Sequence, residues 1–244
     1  MNIPFFLYRR LSRWISCELL LSNDRKIALK NKYEVASFKD VFCHPFYWQL
    51  FQWIDTKPNL VIDCGSHCGH FSILADLCID AKFGSSNTHY ILVEPNPYLI
   101  PILTKNLKDA NLIDRSSIHQ GLLGQKSGEA ELWVNHKNYL QTGLHQSPQS
   151  KSYKIPYLNL SDLINHQTID IMKIDIEGGE YAFIQENLDL FKLTNLVLME
   201  LHQNTEKLQG EALNLLKSVG LVMVADPVEA NGQQLIILKK LVPL

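Results

Sequence analysis

The stretch that decides the fold is NLVIDCGSHCGHFS, residues 59–72. Its apolar, β-branched beginning, Leu60–Ile62, is typical of a strand buried on both faces of a parallel sheet. Asp63 ends that strand. Gly65 and Gly69 then bracket a tight turn, where one glycine can adopt a positive φ and the other allows a backbone or ligand to approach closely. The apolar positions that follow predict a helix. Such a turn lies at the carboxyl end of a strand, where open α/β sheets bind ligands.

The spacing of these glycines indicates what kind of ligand binds. A dinucleotide site uses Gly-x-Gly-x-x-Gly to bring a pyrophosphate to the helix N-terminus. This chain instead has Gly-x-x-x-Gly, preceded by the acid Asp63. That acid would repel a phosphate but suits a cationic or amino-acid-bearing ligand, such as S-adenosylmethionine. The alternative is a turn with a purely structural role.

A second buried strand, YILV at residues 90–93, ends in Glu94 and Pro95, and a helix follows from Pro97. In nucleoside-binding α/β folds, a carboxylate at this position accepts hydrogen bonds from both ribose hydroxyls. Glu94 is therefore the predicted ribose ligand.

A second chemical centre follows in IDIMKIDIEGGE, residues 169–180. Strand alternation predicts Lys173 and Asp175 on one side, and Glu177 shares the parity of Asp175. Charged groups at the end of a central strand are costly unless they are paired or functional. Glu180 has a simpler explanation, because an acid is favourable in the first turn of the following helix.

The next buried strand, NLVLMELH at residues 195–202, places Glu200 and His202 on one side. Two neighbouring strands therefore direct four polar side chains toward the same end of the sheet. These are Asp175, Glu177, Glu200 and His202.

Length and composition limit the class of protein. With 244 residues, 46% hydrophobic and 20% charged, the chain is expected to form one α/β domain with an appendage. A net charge of -2 provides no basic surplus, which disfavours nucleic acid as a partner. The odd number of cysteines, five, is typical of a reducing cytoplasm. Cys64 and Cys68 lack the second pair that a zinc site needs.

Two segments precede the first buried strand. Residues 1–22 predict a basic amphipathic helix that packs on its own domain or in a homodimer, with peripheral contact to an anionic membrane as the alternative. They match neither a signal peptide nor a membrane span. Residues 33–55 are rich in aromatic residues and are expected in the core, or as a lid over the site.

The remaining segments complete the sheet. Residues 117–123 predict a third strand and residues 129–134 a half-exposed strand. Residues 136–152 predict a long loop at the mouth of the site. Strands at 221–225 and 234–238, joined by a turn at Asn231-Gly232, predict a final antiparallel hairpin.

The glycine turn, the acid ending the second strand and the final hairpin together resemble the S-adenosylmethionine-dependent methyltransferase fold. Asp170–Glu180, followed by Leu198–His202, resembles the signature of the FkbM family within that fold, with coverage of roughly residues 38–225. The resemblance implies an α/β, Rossmann-like class I fold with a seven-stranded, mostly parallel sheet, an antiparallel last strand and helices on both faces. We expect residues 1–55 to form a helical and aromatic cap, and residues 56–244 to form the methyltransferase domain.

The resemblance further implies O-methylation of a hydroxyl on a sugar, glycan or polyketide-like small molecule. The first turn would hold the methionine part of the cofactor and Glu94 the ribose. One departure is the bulky turn over residues 64–69. The predicted cofactor-binding residues are Asp63, Gly65, Ser66, Gly69, Glu94 and Pro95.

A sulfonium is already an activated methyl donor, so the remaining requirement is loss of the hydroxyl proton. His202 is the candidate base, with Asp175 or Glu177 orienting it or the acceptor. Alternatively, these three residues and Glu200 hold a divalent cation that acidifies the acceptor hydroxyl. Metal-free catalysis is favoured. A catalytically silent cofactor-binding scaffold and, less favoured, a nicotinamide-dependent reductase are the other functional alternatives.

Overall fold

A computed structural model describes residues 17–84, 87–135, 142–143, 150–202, 206–230 and 233–241. The strands are β1 (Cys17–Leu20), β2 (Lys26–Leu29), β3 (Leu60–Cys64), β4 (His89–Val93), β5 (Ser116–His119), β6 (Glu129–Asn135), β7 (Thr142–Gly143), β8 (Ser150–Pro156), β9 (Ile169–Ile174), β10 (Thr194–His202), β11 (Leu221–Met223), β12 (Val228–Ala230) and β13 (Gln233–Lys240). The helices are α1 (Lys32–Phe42), α2 (Pro45–Gln49), α3 (His70–Phe83), α4 (Leu99–Asp109), α5 (Leu160–Ile164), α6 (Glu180–Glu186), α7 (Leu188–Lys192) and α8 (Glu206–Ser218), with 3₁₀ turns at Leu50–Trp53 and Ile113–Arg115.

The central sheet has the order β11-β13-β10-β9-β3-β4-β5, and β12 also pairs with β13. The five strands from β10 to β5 are parallel to their neighbours, whereas β13 is antiparallel to β10 and β11. The mostly parallel sheet with an antiparallel last strand is thus confirmed, and β12 is an additional strand. The predicted Asn231-Gly232 turn lies outside the described residues.

Both faces of the sheet are covered by helices, because successive strand residues point to opposite sides. Val61 faces one core, which α1 to α4 complete, and Ile62 faces the other, which α5 to α8 complete. The aromatic segment contributes Phe46 and Tyr47 to the first core. The domain boundary after residue 55 stays a prediction. Within the described residues, no helix is long and apolar enough to span a membrane.

The helix predicted over residues 1–22 is wrong for its last part, while residues 1–16 lie outside the described residues. Cys17–Leu20 forms β1, which pairs antiparallel with β2. The turn between them uses Asn23 and Asp24 at φ 59° and 56°. Asn and Asp tolerate this left-handed conformation better than other side chains. The local turn therefore overrides the helical spacing of the leucines.

The region after β5 also differs from the prediction. The third strand is shorter than predicted and ends at His119. The half-exposed strand is β6, but it belongs to a separate three-stranded sheet with β7 and β8. The predicted loop over 136–152 is wrong at Thr142–Gly143, which forms β7, and from Ser150, which begins β8 and pairs with Asn135. Residues 136–141 and 144–149 lie outside the described residues. This sheet encloses only a small core, Leu132, Val134 and Ile155, so its strands carry a weak apolar pattern.

A buried ionic network ties the N-terminal hairpin to the central sheet. Asp76 of α3 is fully buried and accepts hydrogen bonds from Arg25 Nε at 3.0 Å, Arg115 Nη1 at 2.8 Å and Tyr90 Oη at 3.0 Å. Arg25 also pairs with Asp80. Burial raises the pKa of Asp76, but the bonds from Arg115 and Arg25 outweigh it and hold the pKa below its usual value. The carboxylate therefore stays charged. It connects α3 with the residue before β2, with β4 and with the segment before β5.

Asp76→Asn should lower the free energy of unfolding by about 3–5 kcal/mol, because it removes the buried charge that Arg25 and Arg115 share and leaves Arg25 with Asp80 alone. Urea denaturation would measure this. The control Asp189→Asn removes the surface pair with Lys192 and should leave the unfolding midpoint nearly unchanged. Equal, small effects of both substitutions would contradict a stabilising role for the network.

Candidate functional site

A cavity of about 850 Å³ lies at the carboxyl edge of β3, β4, β9 and β10. Its volume is within the ~300–1,000 Å³ of small-molecule sites. The sheet itself explains the position, since the carboxyl ends of parallel strands meet at one edge. The predicted site residues that line the cavity are Gly65, Ser66, Glu94, Pro95, Asp175, Glu177 and Glu200. Asp63, Gly69 and His202 are not among the lining residues.

The glycine turn requires both of its glycines. Gly65 and Gly69 have φ of 76° and 80°, a left-handed conformation that favours glycine. A Cβ on Gly65 would lie 1.7 Å from the carbonyl oxygen of Asp175, and one on Gly69 would lie 2.7 Å from Leu103 Cδ1. The turn is closed by the amides of Gly65 and Ser66, which donate to the Val93 carbonyl at 2.9 and 3.0 Å. The end of β9 therefore packs directly on this turn.

Glu94 is buried at the end of β4. Its two carboxylate oxygens accept hydrogen bonds from the amides of His67 and Asn96, both at 2.8 Å. Burial raises the pKa of Glu94 to about 7, although these amide bonds oppose the shift. Each oxygen retains a further acceptor site. The carboxylate is thus held rigidly and can accept hydrogen bonds from a ligand.

A buried lysine joins the two predicted chemical centres. Lys173 Nζ donates to the Gly65 carbonyl at 2.8 Å and to Asp175 Oδ2 at 3.2 Å, and lies 3.7 Å from Asp63 Oδ1. Asp63 also accepts from Ser72 Oγ at 2.8 Å. Burial would lower the pKa of Lys173, but the charges of Asp175 and Asp63 raise it. Asp63 therefore pairs with Lys173 and also contacts α3 through Ser72.

His202 is oriented by an acid that the sequence analysis explained differently. Glu180, at the start of α6, is buried and lies 3.0 Å from His202 Nδ1 through Oε1. The same oxygen accepts from the amides of Ile176 and Gly178 at 3.2 and 3.0 Å. The helix position of Glu180 is as predicted, but its contact with His202 was missed. No local pattern signals a contact between residues on different elements.

The opposite nitrogen, His202 Nε2, faces the other two acids. It lies 3.3 Å from Glu177 Oε2 and 4.0 Å from Asp175 Oδ1. The predicted strand alternation does not explain the position of Glu177, because β9 ends at Ile174 and Glu177 lies in a turn at φ 56°. Burial would lower the pKa of His202, but Glu180, Glu177 and Asp175 together raise it to about 9. The imidazole is therefore cationic at neutral pH.

Glu200 is held by two side chains that the sequence analysis missed. Tyr47 of α2 and Gln233 of β13 donate hydrogen bonds to its two oxygens. Burial and the charge of Asp175 raise the pKa of Glu200 to about 7. Tyr47 also lines the cavity, so the aromatic segment before the first buried strand reaches the site.

Three of the four predicted cation ligands lie together. Asp175, Glu200 and His202 each offer one ligand atom, and these atoms lie within 4.8 Å of one another. Glu177 is exposed and outside this set. Carboxylate oxygen and imidazole nitrogen are common ligands of divalent cations. The donor set therefore fits one cation, with further ligands supplied from the cavity.

The strand order, the glycine turn and the acid after β4 define a Rossmann-like methyltransferase. Residues 63–223 match the methyltransferase FkbM domain. The chain belongs to this family, and the resemblance drawn from the sequence is confirmed. Family and fold together support S-adenosylmethionine as the methyl donor. No curated protein matches the chain.

Solved structures similar to the chain include a putative RNA methyltransferase from Pyrococcus horikoshii, with 11% identity, TM-score 0.49 and coverage of 86% of each chain. Precorrin-6y C5,15-methyltransferase from Geobacter metallireducens GS-15 has 14% identity and TM-score 0.48, covering 80% of this chain and 86% of that one. TrmK from M. capricolum, in complex with S-adenosyl-homocysteine, has 13% identity and TM-score 0.44, covering 80% and 67%.

Gly65→Ala should destabilise the protein more than Gly220→Ala, measured by urea denaturation. Both positions have positive φ, 76° and 88°, so both should lose about 1–2 kcal/mol from the left-handed conformation. A Cβ at Gly220 meets only Lys240 Cε at 3.7 Å. At Gly65 the overlap with the Asp175 carbonyl should cost about 1–3 kcal/mol more. Equal losses would show that β9 does not constrain the turn.

Proposed function

We propose that the protein transfers the methyl group of S-adenosylmethionine to a hydroxyl of a sugar, glycan or polyketide-like small molecule. The observation that carries this proposal is one cavity that is lined by Gly65, Ser66 and Glu94 on one side and by Asp175 and Glu200 on the other. The first group suits a nucleoside with a methionine chain, and the second suits a hydroxyl that must lose its proton.

The charge of the site favours a cationic ligand. The residues that line the cavity include the acids Asp175, Glu177 and Glu200 and the lysine Lys173. Acids in a partly desolvated cavity attract the positively charged sulfonium more strongly than they would in water. Ionised Glu94 accepts hydrogen bonds from the ribose hydroxyls, because a carboxylate only accepts.

The acceptor half of the reaction requires alignment and loss of one proton. A site that holds the acceptor oxygen in line with the methyl group and excludes water accounts for much of the rate. His202 is the proposed base, and Glu180, which lies at hydrogen-bond distance from Nδ1, positions the ring. Asp175 and Glu177 lie beside Nε2 and orient the ring or the acceptor. Because the imidazole is cationic at neutral pH, its own proton must leave first.

A divalent cation held by Asp175, Glu200 and His202 is the second mechanism, favoured by the grouping of their ligand atoms. Such a cation would acidify the acceptor hydroxyl. Exhaustive chelation distinguishes the two mechanisms. An unchanged rate supports His202 as the base, and loss of activity that Mg²⁺ or Mn²⁺ restores supports the cation.

Affinity for S-adenosylhomocysteine should rise with pH through the pKa of Glu94. With that pKa at about 7, the ionised fraction grows about tenfold between about pH 6 and about pH 8. Calorimetric titration across this range should show a similar gain in affinity. Glu94→Gln should bind more weakly and lose the pH dependence. An unchanged profile in this variant would remove Glu94 as the ribose ligand.

His202→Ala should lower kcat by about 10²–10⁴-fold, the usual contribution of a general base, with little change in cofactor affinity. In the wild type, kcat/KM for the acceptor at saturating cofactor should increase as pH approaches about 9, where His202 loses its proton. Full turnover of His202→Ala with a true acceptor would overturn the base assignment.

The proposal as a whole is tested by calorimetry with S-adenosylmethionine, followed by assays of methyl transfer to hydroxylated sugars, glycans and polyketides. Cofactor binding with transfer to one of them supports the proposal. Binding without transfer, with Asp175, Glu177 and His202 tolerant of substitution, supports the scaffold. Binding of NAD in place of S-adenosylmethionine would support the reductase. Cytoplasmic location, the absence of a nucleic-acid partner, homodimerisation and membrane contact by residues 1–22 stay predictions.

A further inference from the structure

Two buried polar atoms, one in the glycine turn and one at the start of α3, lack a hydrogen-bond partner among the described residues. They are His70 Nε2 and Ser66 Oγ, and their residues are only 1% and 4% exposed. Both residues line the cavity. An unsatisfied buried polar atom is expensive, so each such atom in a native protein requires an explanation. Here the cavity provides one, because a bound ligand can supply both partners.

The neighbours of His70 fix the direction of its ring. Nδ1 lies 2.9 Å from Ser37 Oγ of α1. Phe38 and Phe42, also on α1, meet the imidazole edge to face, with centroids 6.0 and 6.5 Å away. These contacts leave Nε2 as the ring nitrogen available to a ligand. If the Ser37 hydroxyl donates to Nδ1, the ring proton resides on Nε2, which is then a donor.

Although acids line other parts of the cavity, the groups at the start of α3 favour an anionic partner. Burial lowers the pKa of His70 to about 3, so the ring is neutral and donates a hydrogen bond without contributing charge. His70 is the first residue of α3, and its N-cap, Gly69, has no side chain to satisfy the free amides of the first turn. The N-terminus of a helix carries partial positive charge and binds anions. A carboxylate satisfies both the helix end and two neutral donors.

We propose that His70 Nε2–H and the Ser66 hydroxyl bind the carboxylate of the methionine part of the cofactor, with Ser37 setting the tautomer of His70. This assignment rests on the proposed function, and it adds residues of α1 and α3 to the cofactor site. The predicted cap thereby takes part in cofactor recognition, because a Ser37 hydroxyl that donates to Nδ1 keeps the ring proton on Nε2.

Calorimetry with S-adenosylmethionine and its decarboxylated form tests the proposal, because the two ligands differ only in the carboxylate. Loss of a hydrogen bond to a charged group should weaken binding by about 10-fold or more. Wild type should therefore bind the decarboxylated form at least that much more weakly. His70→Ala should lose a similar factor for S-adenosylmethionine but nothing for the decarboxylated form. Ser37→Ala should show a smaller loss with the same selectivity.

His89→Ala is the matched control. His89 Nε2 makes the same kind of contact with a serine, Ser117 Oγ at 3.0 Å, but at the opposite, amino end of β4. It should leave both affinities unchanged. If thermal melting shows that His70→Ala does not fold, Ser66→Ala should still give the carboxylate-selective loss, and His70→Gln, which keeps a donor, should recover most of the affinity.

Equal weakening of both ligands by His70→Ala would overturn the assignment and indicate a contact with another part of the cofactor, such as the ammonium group. No weakening of either would overturn it as well. Failure of the wild type to bind either ligand would overturn the proposed function itself, and the assignment with it.

Discussion

The buried ammonium of Lys173 is the interaction on which the site depends. It joins the Gly65 carbonyl, Asp175 and Asp63, and so links the turn after β3 to the end of β9. A buried lysine remains charged only when acids surround it. Burial raises the pKa of Asp63, and the charge of the lysine opposes that shift. The two chemical centres of the sequence are therefore one electrostatic unit.

Around this unit, three of the candidate side chains are held by groups that include a residue from another segment. Glu180 of α6 positions His202 of β10, Tyr47 of α2 holds Glu200, and the amides after β3 and β4 hold Glu94. Such support keeps charged groups in one geometry before any ligand arrives. It also explains the shifted pKa values of His202, Glu200 and Glu94, which arise from burial and enforced proximity.

Sequence reasoning located the parts whose signal is local. The buried strand, turn and helix at residues 59–72, the acid after β4 and the antiparallel end of the sheet all appear as predicted. It did not find β1, because a turn at Asn23 and Asp24 competes with the helical spacing of the leucines. It also missed β8, because a small sheet on a small core needs few apolar residues. The contacts of Glu180, Tyr47 and His70 were missed because they join distant segments.

The sequence by itself determined the strand–turn–helix unit, the family and the set of acids at the sheet edge. These follow from hydrophobic periodicity, from the spacing of glycines in a turn where other residues would be strained, and from polar residues at strand ends. Only the tertiary structure decided which acids each nitrogen of His202 faces, that Asp63 pairs with Lys173, and that α1 and α2 reach the cavity. Those facts depend on contacts between residues far apart in the chain, which local spacing does not encode.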